Sequence, residues 1–262
     1  MKSVRFEEQT RESLSRYAAE ALLVVPTGAT EQHGPHLPVG TDEIIAEYLA
    51  VESATRVFEQ GEICLVAPPL WYGSSHHHLP YPGTLSFSSN TFLQAVEDLA
   101  STASMWGIKR LFLLNGHGGN ASLLQQATRN LVLNTDLDVG AVSYWDLVRD
   151  RLLEDPMVAD VVKYMPGHAG YFETSVMLAL RPELVDVGAY PTESSGPARK
   201  QGLQSRSIPF VQRSPKWHQK MGGYSDSPSN ASAKIGNRVL EHTIACLTEC
   251  LLSFKFDAYD AS

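Results

Sequence analysis

The chain lacks the features that would place a protein in a membrane, on a nucleic acid or in a disulfide framework. No segment of its 262 residues approaches the roughly 18 consecutive apolar positions of a membrane-spanning helix. Its N-terminal stretch, MKSVRFEEQTRESLSRY, has no apolar centre, so no secretory signal is expected and a cytoplasmic location follows. Basic charge is in deficit: 21 Lys and Arg stand against 29 Asp and Glu, a net charge of −8. That balance excludes the basic surface that binding to nucleic acid or an anionic membrane requires, so neither partner is expected. Cysteine is sparse. Cys64, Cys246 and Cys250 form no CxxC pair and no zinc-ribbon spacing, and they read as reduced, buried thiols.

The remaining composition, 43% hydrophobic and 19% charged, is that of a globular protein. The length suits one large α/β domain, and a single domain over 1–262 is expected. Short apolar runs alternate with amphipathic stretches. ALLVV (21–25) precedes a helical pattern over 42–57, and ICLVA (63–67) precedes a long loop and a helix near 90–106. RLFLLN (110–115) leads through GHGGN into a helix near 121–133, and VGAVSYW (139–145) is the fourth strand candidate. A helical run, YFETSVMLALRPELV, and a last apolar helix to about residue 254 complete the pattern. This order predicts a mostly parallel central sheet covered on both faces, a three-layer α/β/α sandwich. Ligands in such folds collect beyond the carboxyl ends of the strands. The Ser/Gly/Pro-rich stretch 191–231 reads as an irregular excursion in which Trp217 and His218 are candidates for a neighbouring subunit's pocket.

Four segments carry chemistry, and three of them fall at that edge. In EQHGPHLPVGTD (31–42), Glu31 and His33 sit two apart in an extended segment and point to one side, toward one cation or one each of an adjacent pair. Asp42 stands at a helix start, as a ligand or a cap. His36 reads as a support for the others. In LLNGHGGN (113–120), glycines expose His117, and the amides of Gly118 and Gly119 near a helix N-terminus can receive a substrate oxygen. In GHAGYFETS (167–175), His168 follows a Pro-Gly turn and Glu173 lies on the next helix. YGSSHHHLPYPGTLS (72–86) reads as a stiff wall facing substrate; its adjacent histidines point different ways.

Glu31, His33, Asp42, His117 and Glu173 are therefore the candidate metal ligands. A mixed N/O set without thiolate suits Zn²⁺, Mn²⁺ or Fe²⁺. Five such ligands with a bridging Asp can hold two divalent ions about 3.5 Å apart, as in two-metal hydrolases. His168, titrating near neutrality, would protonate a leaving nitrogen.

The motifs GATEQHGPHLPVGTD, GSSHHHLPYPGTLS, NGHGGN and HAGYFETS occur in the order found in the creatininase family, which the chain resembles from about residue 20 to residue 187. The resemblance implies a two-metal enzyme hydrolysing carbon–nitrogen bonds of cyclic or linear amides, as a homo-oligomer and often a hexamer. It implies that Glu31 and His117 bind one metal and His33 the other, with Asp42 bridging and His168 as the catalytic histidine. Ser75 and His78 fall in the family's substrate-side loop, and Trp145 would line the pocket. Creatininases proper carry a tyrosine and a ligating glutamate after the motif histidine; Gly118 and Gly119 stand there in this chain. Glu173 is then the replacement, with a ligating and catalytic role. Tyr164 stands where creatininases proper carry a tryptophan ahead of the catalytic histidine. Both departures point away from creatinine and toward an HGGN branch of peptide-trimming enzymes, formamide deformylases and ring-ketone hydrolases. The expected substrate is a small molecule or a short peptide. The competing readings are a ketone or ester hydrolase on the same scaffold and a non-catalytic binding protein.

Overall fold

The computed structural model describes residues 3–191, 214, 220 and 222–256. Four strands form one parallel sheet in the order β2-β1-β3-β4: β1 (Leu22–Thr27), β2 (Cys64–Val66), β3 (Arg110–Asn115) and β4 (Asp138–Ser143). β1 is buried at every position. Its alternate residues divide between two cores, as the period of two requires. Leu22 and Val24 join Val66, Phe112 and Leu114 on one face, whereas Leu23 and Val25 join Leu65, Leu111 and Leu113 on the other.

The helices that cover these faces are α1 (Arg11–Tyr17), α2 (Thr41–Glu59), α3 (Ser89–Met105), α4 (Ala121–Asn134), α5 (Tyr144–Leu153), α6 (Tyr171–Leu180) and α7 (Ala233–Phe256). Buried residues of α2, α5, α6 and α7 belong to the first core and those of α3 and α4 to the second, which gives the three expected layers. No helix among the described residues is long and apolar enough to cross a membrane.

Two local expectations are corrected, and a third is not tested. The fourth strand ends at Ser143, and Tyr144 and Trp145 open α5 instead of extending it. Both rings are buried in the first core, so packing overrides the strand preference of aromatic residues. The run 171–185 breaks at Arg181 (φ −144°, ψ 63°), because Pro182 disfavours a helical residue before it, and resumes as a single turn, Pro182–Leu184. Trp217 and His218 lie outside the described residues.

The sulfhydryls behave as read. Cys64 and Cys246 are buried, and Cys250 is half-buried against the same core. Burial pushes the Cys64 thiol up to about 12, which leaves it unreactive.

α6 and α7 pack so closely that a side-chain carbon at Gly236 would run into the carbonyl of Ser175. Gly236→Ala is therefore expected to destabilise the fold by about 1–3 kcal/mol through overpacking. A thermal melt showing a midpoint lower by several degrees is the expected result, and an unchanged midpoint would contradict this packing.

Candidate active site

The carboxyl edge of the sheet gathers the chemistry. β1 ends at Thr27, and the segment beyond it folds back on itself through Glu31 N–H to the Val39 carbonyl (3.0 Å) and Leu37 N–H to the His33 carbonyl (3.3 Å). α2 then begins at Thr41, so Asp42 lies in its first turn, where the helix dipole favours a carboxylate. β3 ends at Asn115, whose Oδ1 accepts from His117 N (3.0 Å) and whose Nδ2 donates to Ser143 Oγ (3.0 Å). The next residue must be glycine. A side-chain carbon at Gly116 would lie 2.8 Å from the Asp42 carbonyl, so its absence lets the start of α2 reach the end of β3.

This closeness brings five side chains together. His33 is fully buried; its Nδ1 donates to the Glu31 carbonyl (3.1 Å), which turns Nε2 toward Asp42 Oδ1 (3.1 Å) and Glu173 Oε2 (3.8 Å). His117 presents Nδ1 to Asp42 Oδ2 (3.1 Å) and Glu31 Oε1 (3.4 Å) while Nε2 faces the Ser74 carbonyl (3.4 Å). Glu173 comes from the first turn of α6 and accepts from Ala169 N (2.5 Å). Ligand atoms of Glu31, Asp42 and His117 lie within 4.8 Å of one another, and so do those of His33, Asp42 and Glu173. Asp42 belongs to both groups.

The electrostatics fit a divalent cation. Burial opposes the charge on Glu31, but His117, His78 and His168 outweigh it and hold the carboxyl well below its ordinary range. Burial also opposes a charge on His33, yet Asp42, Glu173 and Glu31 raise it to about 10. His117 is raised for the same reason. Burial, with Asp42 adding to it against the pull of His33, lifts Glu173 to about 7. The buried Asp42 Oδ2 makes no well-formed hydrogen bond, although His117 Nδ1 lies 3.1 Å away. A buried anionic acceptor without such a bond is costly. Oxygen and imidazole donors around it suit Zn²⁺ or Mn²⁺.

A cavity of about 240 Å³ opens over this cluster. Asp42, His117, Glu31, Glu173, His78 and Gly118 line it, with Trp145 and His168 on its walls. His168 presents Nδ1 to Glu31 Oε1 (3.5 Å) and Nε2 to the Gln32 carbonyl (2.8 Å), and its ring stacks on His78 at 4.1 Å. Burial and the neighbouring His33 push it down to about 3, so the expectation of titration near neutrality is corrected: His168 is neutral at physiological pH.

Other expected contacts divide. Ser75 is fully buried away from the cavity lining and donates to Glu31 Oε2. Gly119 packs under His117 and Ser74 and does not line the cavity. Tyr164 is also absent from the lining; its ring meets Tyr171 edge-on at 5.6 Å. His36 lies outside the cluster and bonds Thr174 Oγ1 (2.9 Å), tying the loop to α6.

Residues unforeseen from the sequence complete the walls. Tyr224 and Ser225 line the cavity. Ser225 also grips His168, accepting from its N–H (2.8 Å) and donating to its carbonyl (2.8 Å). Asp226 accepts from Tyr171 N (2.7 Å) at the start of α6. The only signal for them was the turn-forming GGYSDSP inside a stretch that otherwise reads as irregular. Gln32, between two candidate ligands, also belongs to the site: its side chain meets His78 and His168.

Comparison with known proteins gives the same answer as the geometry. The family model described as creatininase, creatinine amidohydrolase, matches residues 7–251. A mycofactocin precursor peptide peptidase of Mycobacterium ulcerans is 30% identical over 226 residues, 85% of this chain and 81% of that protein. A creatinine amidohydrolase of Pseudomonas putida is 33% identical over 201 residues, 71% of this chain and 75% of that protein. The solved structure of a glutamate-to-glutamine mutant creatininase, Zn–Zn type, superposes with a TM-score of 0.77 at 29% identity, covering 96% of this chain and 98% of the other. The chain is a metal-dependent amidohydrolase of the creatininase family.

Proposed function

We propose that the chain hydrolyses a carbon–nitrogen bond of a small molecule or short peptide at a site for two divalent ions that share Asp42. The observation that carries this reading is the carboxylate of Asp42, buried between two donor triplets with one oxygen lacking a well-formed hydrogen bond. Glu31, Asp42 and His117 would hold one ion, and His33, Asp42 and Glu173 the other. The ions, Zn²⁺, Mn²⁺ or Fe²⁺, would supply a nucleophilic water at neutral pH and polarise the scissile carbonyl.

The chain's own groups supply the proton transfers. His168, neutral, donates Nε2–H to the Gln32 carbonyl and keeps a lone pair on Nδ1 facing Glu31 Oε1 and the cavity. Nδ1 takes the proton from the attacking water as the carbon–oxygen bond forms. The same proton then passes to the departing nitrogen as the carbon–nitrogen bond breaks, which regenerates the neutral ring. Ser75 holds Glu31 in place, and Ser225 holds His168 from both sides of its backbone. Trp145 and Tyr224 give the cavity apolar sides, and its small volume suits one amide group or the end of a peptide rather than a folded partner. The peptidase relatives favour a peptide terminus, and the glycines at 118 and 119 fit an HGGN branch. A cytoplasmic homo-oligomer is the assembly this reading implies.

Turnover of a panel of formylated amines, short peptides and creatinine by zinc- or manganese-loaded protein tests the reading. Hydrolysis of at least one member, abolished by chelator and restored by metal, is expected; no turnover of any would refute it. His168→Asn should lower kcat about 10²–10⁴-fold with bound metal unchanged.

Metal uptake is linked to pH. His33 with a pKa raised to about 10 and His117 above its usual range are protonated in the metal-free protein below those values. A cation must displace these protons, so affinity rises as pH climbs toward that range and falls below it. Titrating Zn²⁺ into weakly buffered protein at pH 7 should release protons. Metal binding without proton release would contradict the assignment.

A further inference from the structure

The asparagine that closes LLNGHGGN has no part in the chemistry described so far, yet it is fully buried. Asn120 stands at the start of α4, where an asparagine side chain usually caps its own helix. Here it makes no such bond. It turns instead to two distant stretches of backbone: Oδ1 accepts from Ser74 N (2.9 Å) and Nδ2 donates to the Gly28 carbonyl (2.9 Å). A backbone N–H only donates and a carbonyl only accepts, so both bonds demand the same orientation of the amide. The three segments meet with no room to spare. A side-chain carbon at Gly73 would lie 2.4 Å from the Gly28 carbonyl oxygen and 2.8 Å from Asn120 Oδ1.

Asn120 thereby grips a dipeptide that supports two candidate ligands from behind. The Ser74 carbonyl faces His117 Nε2 (3.4 Å), which leaves Nδ1 to face Asp42 and Glu31. The next residue, Ser75, donates its hydroxyl to Glu31 Oε2. Glu31 and His117 belong to one donor triplet, together with Asp42. The two ligands peculiar to the other triplet are held by different backbone groups, His33 by the Glu31 carbonyl and Glu173 by Ala169 N. Gly28 has a second anchor, its own N–H donating to the Leu70 carbonyl (3.0 Å). Removing the Asn120 amide therefore acts on the Ser74 side, where a buried N–H loses its acceptor and the backbone must shift to find another.

We infer that Asn120 is a positioning residue for one of two ion sites. By fixing the Ser74–Ser75 backbone it aims His117 and Glu31, so the ion held by Glu31, Asp42 and His117 depends on it. The ion held by His33, Asp42 and Glu173 does not. The two sites themselves rest on the two-ion reading above; the asymmetry between them is additional. Groups that orient metal ligands in this way contribute about 10–100-fold to metal affinity.

Zinc binding to Asn120→Ala and to the unaltered protein, followed by calorimetric titration and by anomalous diffraction from zinc-soaked crystals, tests this without any need for turnover. The unaltered protein should fill both sites. In the variant the affinity of one site should fall about 10–100-fold while that of the other stays as it was. The anomalous peak beside Glu31 and His117 should fade at a zinc concentration that keeps the peak beside His33 and Glu173 at full height. Equal weakening of both sites marks a general loss of structure, and no weakening of either marks a side chain without influence on the ions. Either result, or selective fading of the peak beside His33 and Glu173, would overturn the inference. Should the unaltered protein hold fewer than two ions, the two-ion reading fails and the asymmetry falls with it. Where Asn120→Ala does not fold, Asn120→Ser, whose short polar side chain admits a water to the two backbone groups, is judged by the same criteria.

Discussion

The Asp42 carboxylate is the constraint on which the rest of the site depends. It is buried at the start of α2 with His33 on one oxygen and His117 on the other. A carboxylate so removed from water is stable only where positive charge surrounds it closely. Burial presses Asp42 toward its neutral form, and the neighbouring imidazoles hold it ionised below the usual carboxylate range. Cations that engage both oxygens would satisfy the same requirement and supply Oδ2 with the well-formed contact it lacks.

Much of the surrounding architecture can be understood as the means of delivering that carboxylate. The parallel sheet brings the ends of β1 and β3 side by side, so the loop carrying Glu31 and His33 meets the turn carrying His117. Gly116 allows α2 to approach the end of β3. α6 arrives from a distant part of the chain with Glu173, and the 222–226 turn fastens its first residues through Asp226. Ala169, between His168 and that helix, adopts a positive φ of 47°, a conformation that costs a residue with a side chain about 1 kcal/mol or more. The strain falls between His168 and Glu173, the residues proposed as catalytic histidine and metal ligand.

The strands were legible in the sequence because each is a short apolar run bounded by turn residues, and a strand buried on both faces needs nothing else to identify it. The five ligand candidates were legible because residues that bind cations are rare among the glycines and prolines of EQHGPHLPVGTD and GHGGN. Other features depended on tertiary partners that no local pattern carries. α5 begins with Tyr144 and Trp145, which favour strands until a core is present to bury them. Ser75, in the loop expected to face substrate, donates to Glu31, and Tyr164 packs on Tyr171. Tyr224 and Ser225 reach the cavity from a stretch with no periodicity. Gln32 is the most instructive, since its side chain is buried against His78, His168 and Gly34 N, partners that the sequence does not reveal.

The central claim is that two divalent ions share Asp42. Anomalous diffraction from zinc-soaked crystals tests it most directly, because it shows the ions themselves. Two peaks are predicted, each within about 2.0–2.2 Å of a different oxygen of Asp42, one also touching Glu31 and His117 and the other His33 and Glu173. A single peak, or two peaks of which one leaves Asp42 untouched, would contradict it.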